Sequence, residues 1–327
     1  MRITLGAGSK KGSNLLGCGD QESIELAMKS THAGCVRSQE KSTHAGCGRS
    51  QEKSRHAGCV RSPEGVRFHW PEYLMEAGEL ALYMFFACVF ATLLQHPASP
   101  VRQFIVSAIL RRALMGLAVG MTVIAIVMSP WGKQSGGHFN PAMTFAFYRL
   151  GKVEFWDALF YSASQFTGAI AGVAIATYVL RGATQHDAIR YAATVPGVYG
   201  DTAAFIAELI MSFILMITVL FVSNHRSLSR YTPYFVGGLY ATFITFETPL
   251  SGMSMNPART FGSALHAGYW HGLWIYFVAP TLAMMVAGEV FLQIRRGVPP
   301  YCAKLHQANH KRCIFRHGDE QLLVQDS

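Results

Sequence analysis

Charge is what this sequence has least of. Only 14% of its 327 residues are Asp, Glu, Lys or Arg, against 50% that are hydrophobic, whereas soluble chains carry about 25% charged residues. A water-soluble body is thereby excluded for the stretch that apolar residues dominate, Tyr73 to Ile294. Acidic residues are scarcer still, 19 against 28 basic ones, and the net charge is +9. The excess gathers at the two ends, at Lys10, Lys11, Lys29, Arg37, Lys41, Lys304, Lys311, Arg312 and Arg316 among others. Beside a membrane body such tails face anionic lipid. No folded recognition module accompanies the charge, so nucleic acid is not expected as a partner.

An N-terminal apolar run is also lacking. Met1 to Met28 has no stretch of about 7 to 15 apolar residues behind its basic start, so no secretory signal is expected. The first membrane segment then serves as its own insertion signal. Cysteine is sparse: Cys18, Cys35, Cys47, Cys59, Cys88, Cys302 and Cys313 form no disulfide framework. Most lie in tails assigned to the reducing cytoplasm, while Cys88 reads as a small core residue. No nucleophile, base and orienter come together in a plausible set, which excludes an enzyme.

A repeat with a period of 12 residues fills Ser30–Lys41, Ser42–Lys53 and Ser54–Glu64. It offers three His-x-x-Cys pairs, His32/Cys35, His44/Cys47 and His56/Cys59. Such ligands suit zinc or copper, but so short a period has no apolar face to fold upon, and closing flexible loops costs entropy. The sequence therefore assigns 1–70 to a disordered basic tail, 71–296 to a membrane channel domain and 297–327 to a cytoplasmic C-terminal tail. It calls for no metal site and no cofactor.

Six segments are long and apolar enough for the roughly 20 helical residues that span a hydrocarbon layer: Tyr73–Leu94, Leu110–Met128, Phe155–Leu180, Ala203–Val222, Tyr234–Phe246 with its flanks, and Leu273–Ile294. Their length and lack of alternation require helices. Small residues, as in Gly168–Gly172 and Gly237-Gly238, permit close packing. The order repeats: Glu76 opens segment one and Glu208 segment four, and each half runs through a second helix, an Asn-Pro-Ala loop and a third helix. Three crossings per half turn the second half upside down. The expected fold is an all-α membrane protein of six transmembrane helices and two half-helices in an inverted repeat.

The loops carry the chemistry. Asn140-Pro141-Ala142 returns 116 residues later as Asn256-Pro257-Ala258. Asn is a preferred N-cap, Pro fits the first helical position and Ala is the best helix former. Each motif should start a short helix, Pro141 to about Arg149 and Pro257 to about Ala264. Two positive dipole ends would meet at the midplane, where a cation meets both desolvation and repulsion. The Asn140 and Asn256 amides can donate to a passing oxygen, which favours a neutral hydrogen-bonding solute. Ahead of each Asn runs non-helical backbone, through Gly136, Gly137, His138 and Phe139 in one loop and Gly252, Met253, Ser254 and Met255 in the other. At membrane depth such backbone must be buried or line a wet cavity, so its carbonyls are expected to form an acceptor ladder along a pore. Arg259, one turn into the second half-helix, adds fixed positive charge and several donors.

Through Ser135–Thr144, Gln165 and Ser254–Gly262 the chain resembles the major intrinsic protein family, the aquaporins and aquaglyceroporins, from about Glu72 to Arg295. The resemblance implies six helices and two half-helices per subunit, a pore in each, a homotetramer, and both termini in the cytoplasm of a plasma or inner membrane. It places Arg259 at the outer constriction with Val119, Ile244 and Met253, where strict water channels carry an aromatic residue, a histidine and a small or polar residue. Ile244 in place of His removes a donor and acceptor and leaves an apolar wall. Against that, Thr260 stands where glycerol facilitators carry Asp, Ala264 where they carry a basic residue, and Tyr276-Phe277 matches the water branch. The resemblance implies a pore-lining His138. It also implies loop anchors at Glu76 and Glu208, each accepting from backbone amides.

The activity expected is a passive channel for water, with small neutral solutes as a second class. A glycerol, urea or metalloid-acid facilitator and, further off, an inverted-repeat secondary transporter remain as alternatives. The transporter would want titratable groups at the midplane, where this chain has two Asn. Water, small neutral solutes and the bilayer are the expected partners. Glu79 has no role assigned by the sequence, while Glu247, near the expected outer mouth, is read as pairing with a basic residue or biasing the vestibule toward cations. Charge supports the orientation weakly, with Lys133, Arg149, Lys152, Arg226, Arg230, Arg295 and Arg296 on the cytoplasmic side against Arg102, Arg111, Arg112, Arg181 and Arg190 outside.

Overall fold

The structure, a computed structural model, describes residues 69–318 and the backbone of Val60–Arg61. The three His-x-x-Cys pairs lie outside the described residues. In chain order the helices are α1 (Trp70–Gln95), α2 (Pro100–Phe104), α3 (Ala108–Met128), α4 (Pro130–Ser135), α5 (Pro141–Arg149), α6 (Phe155–Val179), α7 (Gly200–Ser223), α8 (Thr232–Phe246), α9 (Thr248–Ser251), α10 (Pro257–Ala267) and α11 (Leu273–Ile294). A two-residue parallel pairing joins β1 (Val60–Arg61) to β2 (Arg312–Cys313). This is the all-α inverted-repeat fold of a multi-pass membrane protein.

Helices α1, α3, α6, α7 and α11 are long and apolar enough to cross a membrane. Helix α8 has 15 residues, about 22 Å at 1.5 Å per residue, and α9 follows after Glu247 alone. The local sequence explains the boundaries. Ser129 ends α3 and caps α4, accepting from the Gly132 amide at 3.1 Å. Gly136 and Gly252, both left-handed, end α4 and α9.

Long helices pair as α1 with α6, α7 with α11, and α3 with α8 across the halves. The half-helices exchange sides: α5 of the first half packs on α11, and α10 of the second packs on α6. Small residues make this possible. A Cβ added at Gly168 would stand 2.1 Å from the Ala77 carbonyl oxygen, and one at Gly120 would stand 2.5 Å from that of Gly237. Backbone meets backbone at both crossings, the way apolar helices associate in lipid.

Residues 298–318, assigned by sequence to a tail, fold back against the body. The Leu305 amide donates to the Gly136 carbonyl at 3.0 Å and the Arg316 amide to that of Lys152 at 3.0 Å, while within the segment the Gly318 amide donates to the Tyr301 carbonyl at 2.8 Å. Cys302, Ala303, Lys304, Leu305, Cys313 and Phe315 are buried. A buried ammonium needs acceptors, and Lys304 Nζ finds them in the Lys311 and Arg312 carbonyls at 3.2 and 2.7 Å.

Candidate functional site

The two Asn-Pro-Ala motifs meet at the start of α5 and α10. Asn140 Oδ1 accepts from the Ala142 amide at 3.0 Å. Asn256 Oδ1 accepts from Ala258 and Arg259 at 3.0 and 3.2 Å. Each Asn also reaches across to the other loop. Asn140 Nδ2 donates to the Met255 carbonyl and Asn256 Nδ2 to the Phe139 carbonyl, both at 2.7 Å. A carboxamide has two N–H donors, so one fixes the facing loop and the other makes no hydrogen bond among the described residues.

Both residues ahead of the Asn are strained. Phe139 has φ 30° and Met255 φ 55°, left-handed values that cost a non-glycine residue of order 1–3 kcal/mol. Paired carboxylate bonds hold them there. Glu76 Oε1 and Oε2 accept from the His138 and Phe139 amides at 3.0 and 2.6 Å. Glu208 does the same for Ser254 and Met255 at 2.7 and 2.6 Å. Gln165 Nε2 adds a donor to Glu76 at 2.7 Å, and Ser251 Oγ adds one to Glu208 at 2.6 Å. Tyr161 and Tyr276 hydroxyls bind the carbonyls of Ser135 and Ser251 at 2.7 and 2.6 Å. The sequence reading passed over Tyr161 and used Tyr276 only as a mark of the water branch. Their signal was their near-equal spacing, 115 residues, in step with the loops. Glu79, unassigned from sequence, accepts from Ser135 Oγ at 2.8 Å.

On one side of the loops, Val119, Ile244, Met253 and Arg259 line a single cavity of about 150 Å³ together with Tyr83 and Ala192. The wall includes Ala188, Ile189, Ala192 and Ala193 of the connection between α6 and α7, tied down where Ser263 Oγ donates to the Tyr191 carbonyl at 2.8 Å. Arg259 is 6% exposed, and its Nε and Nη1 have no hydrogen-bond partner among the described residues. Buried donors without partners are costly unless something mobile satisfies them. Glu247, near this mouth, is buried, and neither carboxylate oxygen has a hydrogen-bond partner among the described residues. The basic partner considered for it from sequence is absent there too.

The other side is covered. His138, expected to line a pore, is 1% exposed because 298–318 lies on it. Its Nε2 donates to the Ala303 carbonyl at 2.8 Å, which can only accept, and Nδ1 lies 3.1 Å from Thr144 Oγ1. The ring is stacked between Phe147 and Phe315, with centroids at 5.1 and 5.4 Å. Gly136 and Gly137 lie in the same turn, with Phe315 pressed against Gly136. Burial holds the Lys152 ammonium below its ordinary range, Cys302 opposing, and lowers His306, with Lys133 adding to the shift. The apolar residues Leu305, Ile314 and Phe315 within a polar tail were the sequence signal for this cover.

Residues 66–291 match the family model described as Major intrinsic protein. Over 186 residues the chain is 31% identical to Aquaporin NIP2-3 of Zea mays, covering 57% of this chain and 60% of that one. It is 35% identical over 187 residues to Probable aquaporin TIP2-1 of Oryza sativa subsp. japonica, covering 54% and 69%. The X-ray structure of the aquaglyceroporin from Plasmodium falciparum has the same fold, with a TM-score of 0.55 at 23% identity over 71% of this chain and 97% of that one. The first of the curated relatives are matched over 60% of their own length.

Proposed function

Since the chain belongs to the major intrinsic protein family, we propose that it is a passive transmembrane channel for water. The observation that carries this reading is the pair of facing Asn caps. Two helix N-termini converge with one amide N–H of each Asn spare, an arrangement that rewards a neutral oxygen and repels cations. Asn140, Pro141, Ala142, Asn256, Pro257 and Ala258 form the midplane. Val119, Ile244, Met253 and Arg259 form the outer filter, and the carbonyls from Gly136 to Phe139 and from Gly252 to Met255 form the acceptor ladder. Glu76 and Glu208 anchor the loops. Residues 71–296 are the channel body, with 1–70 and 297–327 on the cytoplasmic side of a plasma or inner membrane, and the assembly is a homotetramer.

A second reading, passage of glycerol, urea or a metalloid acid, draws support from the apolar wall that Val119, Ile244 and Met253 present beside Arg259. Stopped-flow light scattering on proteoliposomes under gradients of an impermeant osmolyte, then of glycerol, separates the two. Water flux no faster than in empty liposomes would sink the channel reading. Ile244→His restores a donor, and one hydrogen bond of about 1 kcal/mol corresponds to about a fivefold rise in the water-to-glycerol ratio. An unchanged ratio would remove Ile244 from the filter.

A further inference from the structure

We propose that Cys302, Cys313 and His317 form a binding site for one zinc-class divalent ion, and that this ion fastens residues 298–318 over the His138 mouth. The donor atoms of the three side chains all lie within 4.8 Å of one another. The two sulfurs are 3.5 Å apart. Two thiolates each about 2.3 Å from a tetrahedral zinc lie about 3.8 Å apart, so the ion fits with a small opening of the pair. Both cysteines are fully buried, and His317 Nε2 is buried without a hydrogen-bond partner among the described residues. Two thiolates and an imidazole select zinc-like ions over magnesium or calcium. The strand Val60–Arg61 that pairs with Arg312–Cys313 follows Cys59 in the chain; three donors from 302–317 make the site without it, and water closes the tetrahedron.

The site is coupled to the mouth by the shortest of connections. Ala303, whose carbonyl holds His138, follows Cys302, and Phe315, which stacks on His138, is two residues beyond Cys313. The segment has little regular structure, its described strand being Arg312–Cys313. A metal clip supplies what so short a segment cannot supply by packing alone.

The test uses the full chain, purified under reductant, stripped with a chelator and titrated with Co²⁺. One ion per chain should bind, with thiolate-to-cobalt charge-transfer absorption and tetrahedral d–d bands that Zn²⁺ abolishes. Cys302→Ser with Cys313→Ser should lose the ion, and His317→Ala should weaken it. Cys35→Ser with Cys47→Ser should keep it. Cobalt absorption that survives in the tail variant, Cys302→Ser with Cys313→Ser, or a 302–313 disulfide with no bound metal, would overturn the site. The fastening of the mouth rests on the channel reading. Water permeability of proteoliposomes should rise severalfold when zinc is chelated, and the tail variant should stay high with or without zinc. Equal wild-type flux in both conditions would overturn the fastening. Absence of flux in every form, the tail variant included, is a failure of the channel reading, and the cobalt titration still decides the site.

Discussion

The loop that leads into Asn140 and the loop that leads into Asn256 share their backbone anchors. Each has a left-handed glycine, a serine whose carbonyl binds a tyrosine, two consecutive amides on one glutamate, a strained residue, and an Asn that donates to the facing loop. They differ in what fills the equivalent side-chain positions. At a constant offset of 116, Gly137 stands opposite Met253, His138 opposite Ser254, and Met143 opposite Arg259. The Arg259 side opens into a cavity walled by the connection between the halves, and the His138 side is closed by 298–318. A duplicated scaffold thus holds two unlike ends: the shared anchors fix geometry, and the unshared side chains set the chemistry of each mouth.

The largest expected effect breaks the anchors. Glu76→Ala and Glu208→Ala each orphan two buried amides, at about 1–3 kcal/mol per donor, so each should cost about 2–6 kcal/mol. Thermal melting of the detergent-solubilised protein reads the loss. If the two anchors are equivalent the drops in Tm match; a much smaller drop at one shows that its loop is held by something else. The caps come next. Asn256→Ala removes a residue that accepts from two amides, where Asn140 accepts from one. With a cap worth about 1 kcal/mol, the same melting series should place Asn256→Ala below Asn140→Ala by roughly that amount. Equal drops would mean that the Arg259 amide bond adds nothing.

How legible all this was depends on the range of the interaction. Five of the six spans, the half-helix starting at Pro141 and ending at Arg149, and the Asn caps follow from local pattern, because hydropathy and N-capping are written in adjacent residues. Glu76 and Glu208 were found through the repeat, and so was their need for amide donors. The reciprocal Asn bonds were not, since they join residues 115 and 117 positions apart and no local rule pairs an amide with a distant carbonyl. The end of α10 was placed at Ala264, three residues early, because Gly268 supplies the left-handed stop beyond it. Residues 298–318 were read as a plain tail for a similar reason. Their partners, Gly136, Lys152 and His138, lie far away in sequence, and a polar average hides the few apolar side chains that do the packing.

The smallest effect sharpens the difference between the two mouths. Phe315→Ala removes one face of the stack on His138, worth about 0.5–1.5 kcal/mol. Hydrogen exchange reads this locally through the Leu305 amide, bonded to Gly136, and through its counterpart on the other side, the Gly197 amide bonded to Leu250 at 2.9 Å. If Phe315 holds the cover, protection at Leu305 should fall by about fivefold, the equivalent of about 1 kcal/mol, while protection at Gly197 stays as it was. Equal loosening at both amides would mean that the two mouths open as one unit through the shared anchors. No change at Leu305 would mean that the Ala303 carbonyl and the backbone bonds hold the cover without the ring.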